Sequence, residues 1–118
     1  EGLLEQFGWK FYHVYEQRQY ARRSAKGFYD YFAIKPPRLM LIEIKTETGV
    51  VTPEQRVWLD LGTGLEVVET YLVRPSNRDE FEQIVILGHT PNLIERAMLL
   101  CAWGSELPVK EKVCFKTR

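Results

Sequence analysis

Leu39-Met40-Leu41-Ile42-Glu43-Ile44-Lys45-Thr46 is an apolar run that admits an acid and a base two residues apart. Its branched, bulky residues and its length read as a buried strand. Side chains two apart on a strand share a face, so Glu43 and Lys45 lie together and Ile44 opposes them. A lysine in such company needs a partner. Either the strand ends on a solvated edge, or its end carries a function that uses both charges.

The segment before it supplies a third charge. Phe28 to Ile34 is rich in aromatics and reads as a strand ending at the connection Lys35-Pro36-Pro37-Arg38. Place Ile34 opposite Leu39 in an antiparallel hairpin. Each step back along one strand then meets a step forward along the other, and Asp30 falls opposite Glu43. Two carboxylates facing each other destabilise a sheet. A bound cation reverses that sign, and hard divalent ions such as Mg²⁺ or Mn²⁺ prefer oxygen clusters of this kind.

Composition narrows the classes. With 118 residues, 45% hydrophobic and 27% charged, the chain fits one globular domain and is too short for two ordinary ones. Its formal net charge is zero, so affinity for nucleic acid must come from a local patch. The two cysteines, Cys101 and Cys114, have no metal-ligand spacing, and a cytoplasmic setting is expected. No leader or membrane-spanning segment is visible, and no membrane partner is expected. The chain opens on Glu1 inside a predicted helix, so a first helix cut short at its N-terminus is expected.

Outward from the hairpin, Gly2 to Phe7 reads as a helix end stopped by Gly8, and Trp9 to Tyr15 as an aromatic strand. Glu16 to Gly27 is a polar loop with Arg18, Arg22, Arg23 and Lys26 against one acid, Glu16. Thr52-Pro53-Glu54-Gln55 is a helix start: Thr52 caps, Pro53 suits the first position and Gln55 completes a capping box. That helix runs to Gly62 or Gly64. Glu66 to Val73 is a further strand. Ser76 or Asn77 caps a helix through about Leu87, and Thr90-Pro91 starts a last one to about Trp103. A hairpin followed by helix, strand and helices implies an α/β fold with a mixed sheet.

The ordered series Gly8-Trp9, Arg22 to Asp30, Ile42 to Glu47, Gly49, Thr52 to Gln55 with Trp58-Leu59, and Arg74-Pro75-Ser76 resembles the VRR-NUC type of the PD-(D/E)XK nuclease superfamily. The resemblance spans roughly residues 8 to 86. It implies a restriction-endonuclease-like core of α-β-β-β-α-β order over 1–86, with 87–118 as a helix and tail of the same domain. It implies metal ligation by Asp30, Glu43 and the Ile44 carbonyl, and a place for Lys45 beside the attacking water. Gln55 then has two readings, the capping box and a side chain aimed at the site. Arg18, Arg22, Arg23, Ser24 and Lys26 become candidates for DNA backbone contacts. The family's usual proline before the Asp is Tyr29 here, and a Glu expected upstream of Gly8-Trp9 has no good match in Glu1 or Glu5. The implied function is a Mg²⁺- or Mn²⁺-dependent DNA endonuclease, acting on branched DNA and working as a homodimer. The alternative is a catalytically weak nucleic-acid-binding module on the same fold. His13 reads as structural and Trp58 as core; Tyr12, Tyr15 and Tyr20 could stack on bases, with strand packing the alternative that accounts for the first two.

Overall fold

The computed structural model describes residues 1–14 and 26–100, with side chains through Arg96. Arg18, Arg22, Arg23 and Ser24 lie outside the described residues, as do Tyr15, Tyr20, Cys101 and Cys114.

The hairpin forms in the expected register. Strand β2 (Tyr31–Lys35) pairs antiparallel with β3 (Arg38–Ile44), and Ile34 lies opposite Leu39. The connection is shorter than the sequence implied. Lys35 and Arg38 are themselves paired, which leaves Pro36-Pro37 as a two-residue turn. The strand expected from Phe28 begins only at Tyr31, because Gly27 (φ +81°) turns the chain just before it. A Cβ at Gly27 would stand 2.6 Å from the Glu54 carbonyl carbon, so only glycine lets this turn lie on the following helix.

Strand β1 (Lys10–His13) adds to the open side of β2, antiparallel. Strand β4 (Val68–Val73) adds to β3 in parallel, giving the order β1-β2-β3-β4. Parallel neighbours need a crossover, and helix α2 (Pro53–Thr63) provides it. Its start is the predicted one: the Thr52 hydroxyl accepts from the Gln55 N–H at 3.2 Å, and Gln55 Oε1 accepts from the Thr52 N–H at 2.9 Å.

Helices pack on both faces of the sheet. Met40, Ile42, Tyr71 and Val73 point to one face, against Leu4 of helix α1 (Gly2–Gln6) and Phe81, Ile84 and Val85 of helix α3 (Arg78–Val85). Leu41 and Leu72 point to the other, where Leu59 and Trp58 of α2 pack with Phe28 and Tyr29. Trp58 is half-buried there and donates to the Lys26 carbonyl at 3.1 Å. His13 stacks on Tyr31 with ring centroids 4.5 Å apart, a packing role as expected.

A 3₁₀ turn (Pro75–Asn77) leads into α3, so Asn77 stands at the expected cap position while its side-chain oxygen accepts from the Arg74 N–H at 2.8 Å, and the helix ends at Val85. Helix α4 (Leu93–Leu100) begins later than Thr90-Pro91 implied. Asn92 is its cap: Asn92 Oδ1 accepts from the Glu95 N–H at 2.9 Å, and Glu95 Oε1 accepts from the Asn92 N–H at 3.0 Å. The asparagine amide and the reciprocal carboxylate outcompete threonine two residues earlier. The buried Arg96 then ties α4 to the strand start, donating to the carbonyls of Glu66 (2.6 Å), Pro91 (2.8 Å) and Val68 (3.4 Å). Among the described residues no helix is long and apolar enough to cross a membrane.

Candidate active site

The β2–β3 ladder stops at the Tyr31–Ile42 pair, one step short of Asp30 and Glu43. The Asp30 side chain extends it. Its Oδ2 accepts from the Ile44 N–H at 2.8 Å, standing in for the strand carbonyl that would otherwise sit there. The Asp30 carbonyl accepts from the Val14 N–H at 2.7 Å, so its backbone is held by β1 as well. The carboxylate is thus fixed on the peptide unit that joins Glu43 to Ile44. Asp30 Oδ1 has no hydrogen bond among the described residues.

Glu43 faces the α2 side of the sheet and is 2% exposed. A buried carboxylate needs partners: Gln55 Nε2 donates to its Oε2 at 2.9 Å, and the Lys45 ammonium forms an ion pair with the same oxygen at 3.8 Å. Gln55 makes the cap and a contact with Glu43 at once. Its amide oxygen closes the capping box while its amide nitrogen holds Glu43. Lys45 shares the Glu43 face, and its N–H donates to the Val73 carbonyl at 2.9 Å.

The amide of Ile44 points toward Asp30, and that of Lys45 toward β4. Within one extended residue N–H and C=O point to the same side. The Ile44 carbonyl therefore faces the Asp30 side. The donor set at this strand end is two carboxylates and one peptide carbonyl, all oxygen, which is the ligand chemistry of Mg²⁺ and Mn²⁺. Among the described residues no group of three or more His, Cys, Asp or Glu side chains comes together.

Comparison of the chain with protein-family models, with curated proteins and with solved structures finds no match.

Lys26 is exposed and sits at the Gly27 turn, over the first turn of α2. It is the DNA-contact candidate that falls within the described residues. Tyr29, in the place of the expected proline, turns inward beneath Glu43. Its hydroxyl donates to the Trp58 carbonyl. Burial pushes its phenol up to about 12, with the Glu43 carboxylate adding to the rise. The residue is thus a neutral wedge between α2 and the strand that carries Glu43.

Two features were not anticipated. Arg74, at the end of β4, donates through Nη1 to the carbonyls of Thr46 (2.6 Å) and Gly49 (2.8 Å). It pins the loop that follows Lys45. No local pattern signals this, since the partners lie on a different strand's exit. A cavity of about 400 Å³ at the same sheet end is walled by Ile42, Ile44, Val73, Arg78 and Phe81. It lies under the opposite face, between α1 and α3, and neither Asp30 nor Glu43 lines it. Lys45 and Arg74 border it as well, so the cavity adjoins the strand end that carries Glu43.

The double role of Gln55 makes a separable prediction. Thr52→Ala removes one cap bond, costing about 1 kcal/mol of stability in urea unfolding, and leaves Gln55 on Glu43. Gln55→Leu loses the cap bond and the Glu43 contact together. Losing a residue that orients a metal-binding carboxylate costs about 10–100-fold, and the nuclease activity proposed below should fall by that factor in Gln55→Leu alone. Equal activity losses in the two variants would mean that Gln55 acts only through the helix.

Proposed function

We propose that this chain hydrolyses phosphodiester bonds in DNA, with a divalent cation held by Asp30, Glu43 and the Ile44 carbonyl, on a restriction-endonuclease-like core. One observation carries the reading. The Asp30 carboxylate is seated on the peptide next to Glu43, while Lys45 and Gln55 converge on Glu43 itself. Charges expected from sequence to cooperate thus meet at one strand end. The element order, three antiparallel strands, a crossover helix and a parallel fourth strand, supports the same reading.

Mg²⁺ or Mn²⁺, when bound, would supply charge stabilisation at the phosphate oxygens and activation of water. The chain's own groups do the rest. Lys45, with its side chain 16% exposed, presents an ammonium at the edge of the cluster, where it can orient the water or stabilise the developing phosphate charge. Gln55 keeps Glu43 in one orientation. Arg74 fixes the loop beyond Lys45. Lys26 offers a cation to the DNA backbone, a contact that gives affinity without reading sequence. In the reaction the water oxygen bonds to phosphorus and the bond to the 3′ oxygen breaks. That oxygen takes a proton, leaving a 5′-phosphate. A single domain of this size covers little DNA, and a second copy would widen the footprint.

The test is a panel of linear, nicked, flap and four-way-junction DNA incubated with Mg²⁺, Mn²⁺ or EDTA. Cleavage is expected with either ion and none in EDTA. Binding to every substrate with cleavage of none would leave a nucleic-acid-binding module instead.

A further inference from the structure

The face that carries Glu43 is only partly covered. Among the described residues, helix α2 lies over β3 and β4, while Tyr12, Phe32 and Ile34 on the same face of β1 and β2 are exposed. The registers place Tyr12 opposite Phe32, and Phe32 opposite Leu41, which shares the Glu43 face. Tyr12 is 62% exposed and Phe32 37%. Of the two readings of Tyr12, strand packing does not account for so exposed a ring. Phe11 and His13, its neighbours on the strand, are the residues turned toward covered side chains. Next along this face come Ile34, 37% exposed, and its partner Lys10, also exposed.

We propose that Tyr12 and Phe32 form a stacking platform for unpaired bases of a DNA strand entering the Asp30–Glu43 site. The proposal rests on the reading of that site as a nuclease centre, and it names the substrate class as DNA with single-stranded nucleotides beside the cleaved bond. Continuity is the first argument. Phe32 follows Asp30 by two residues on one strand, a step of about 7 Å, which is the reach of a single extended nucleotide. Chemistry is the second. Aromatic faces on an open sheet, beside a lysine, match the bases and phosphates of a single strand, whereas a duplex keeps its base faces hidden. Size is the third. At these exposures Tyr12, Phe32 and Ile34 offer on the order of 300 Å², well short of the ~800 Å² per partner that a stable protein interface buries. A nucleotide or two fits the patch, and a second copy of the chain does not.

The experiment is a binding titration of the full chain, read by anisotropy of a fluorescein-labelled single-stranded oligonucleotide and of a blunt duplex, in EDTA and in Ca²⁺. Tyr12→Ala, an exposed position, should weaken single-strand binding by about five- to a hundred-fold and leave duplex binding unchanged. Tyr12→Trp should retain it. Unchanged single-strand affinity in Tyr12→Ala, or a wild-type preference for the blunt duplex, overturns the platform. So does sedimentation showing a dimer that Tyr12→Ala disperses with single-strand binding intact. Because the readout is binding, a protein that stacks DNA on Tyr12 yet cleaves nothing would sink the hydrolase reading and keep this one.

Discussion

Asp30→Asn should leave the fold in place while removing both the metal response and cleavage. The asparagine oxygen can still accept from the Ile44 N–H, the bond Asp30 Oδ2 makes at 2.8 Å, so the end of the hairpin ladder survives. What goes is the negative charge. A ligand at one hundred times its Kd stabilises the state that binds it by about 2.7 kcal/mol, which for a domain near this size raises Tm by about 10–20 °C. Mn²⁺ should produce a shift of that order in the wild type and about 2 °C or less in Asp30→Asn. Cleavage should fall by about 10²–10³-fold or more, the scale set by losing one preorganised electrostatic group. Asp30→Ala differs in a useful way: it also orphans the Ile44 N–H, adding about 1–3 kcal/mol of destabilisation without metal. A variant Asp30→Asn that cleaves DNA and responds to Mn²⁺ as the wild type does would remove Asp30 from the site.

The largest effect on stability is expected on the other face of the sheet. Arg38 and Glu69, 2% and 0% exposed, form a two-pronged ion pair at 2.9 Å and 2.6 Å. The surroundings complete it. Tyr71 donates to Glu69 Oε1 at 2.7 Å, Arg38 Nη1 donates to the Leu87 carbonyl at 2.9 Å, and the guanidinium lies 4.8 Å from the Trp9 ring centroid. Burial, reinforced by the Glu69 carboxylate, pushes the Tyr71 phenol well above its ordinary range. Removing one partner leaves a bare buried charge, so Arg38→Met or Glu69→Leu alone should cost about 3–5 kcal/mol. That is a large share of the ~5–15 kcal/mol by which domains are stable. Replacing the whole cluster with Arg38→Met, Glu69→Leu and Tyr71→Phe should recover most of the loss, because no unpaired charge remains. The Val85 carbonyl keeps the Trp9 indole N–H at 3.2 Å in that variant. Urea denaturation of the three proteins decides it. A loss under about 1 kcal/mol in Arg38→Met would mean that water already reaches Glu69.

Local chemistry made much of this legible in the sequence. The Thr52–Gln55 capping box appears where it was read, and a tight hairpin anchored by Pro36-Pro37 has few possible registers. The mixed sheet followed from a hairpin, a capped helix and one more strand. Three things were not legible, each because it depends on distant packing. Arg38 and Glu69 are 31 positions apart and meet only through the parallel pairing of β3 with β4. Tyr29 faces inward because Gly27 turns the chain, which breaks the alternation assumed from Phe28 onward. Alternation told which residues share a face with Tyr12, but not that α2 stops short of covering it. At the site, the shared face of Glu43 and Lys45 could be read in advance. The use of the Asp30 side chain as a substitute strand carbonyl could not.

Among the described residues the sheet ends on one side at β4, which has no further strand beside it. Open edges of this kind recruit strands from other chains, and proteins commonly blunt them with charge or with a covering helix. Arg96 combines both devices: a cation carried by α4, with its guanidinium on the carbonyls of Glu66 and Val68 at the strand's entrance. The start of α4 thus occupies carbonyls at the entrance of β4. A fragment cut before α4 should keep Asp30, Glu43 and Lys45 and aggregate more readily than the longer chain.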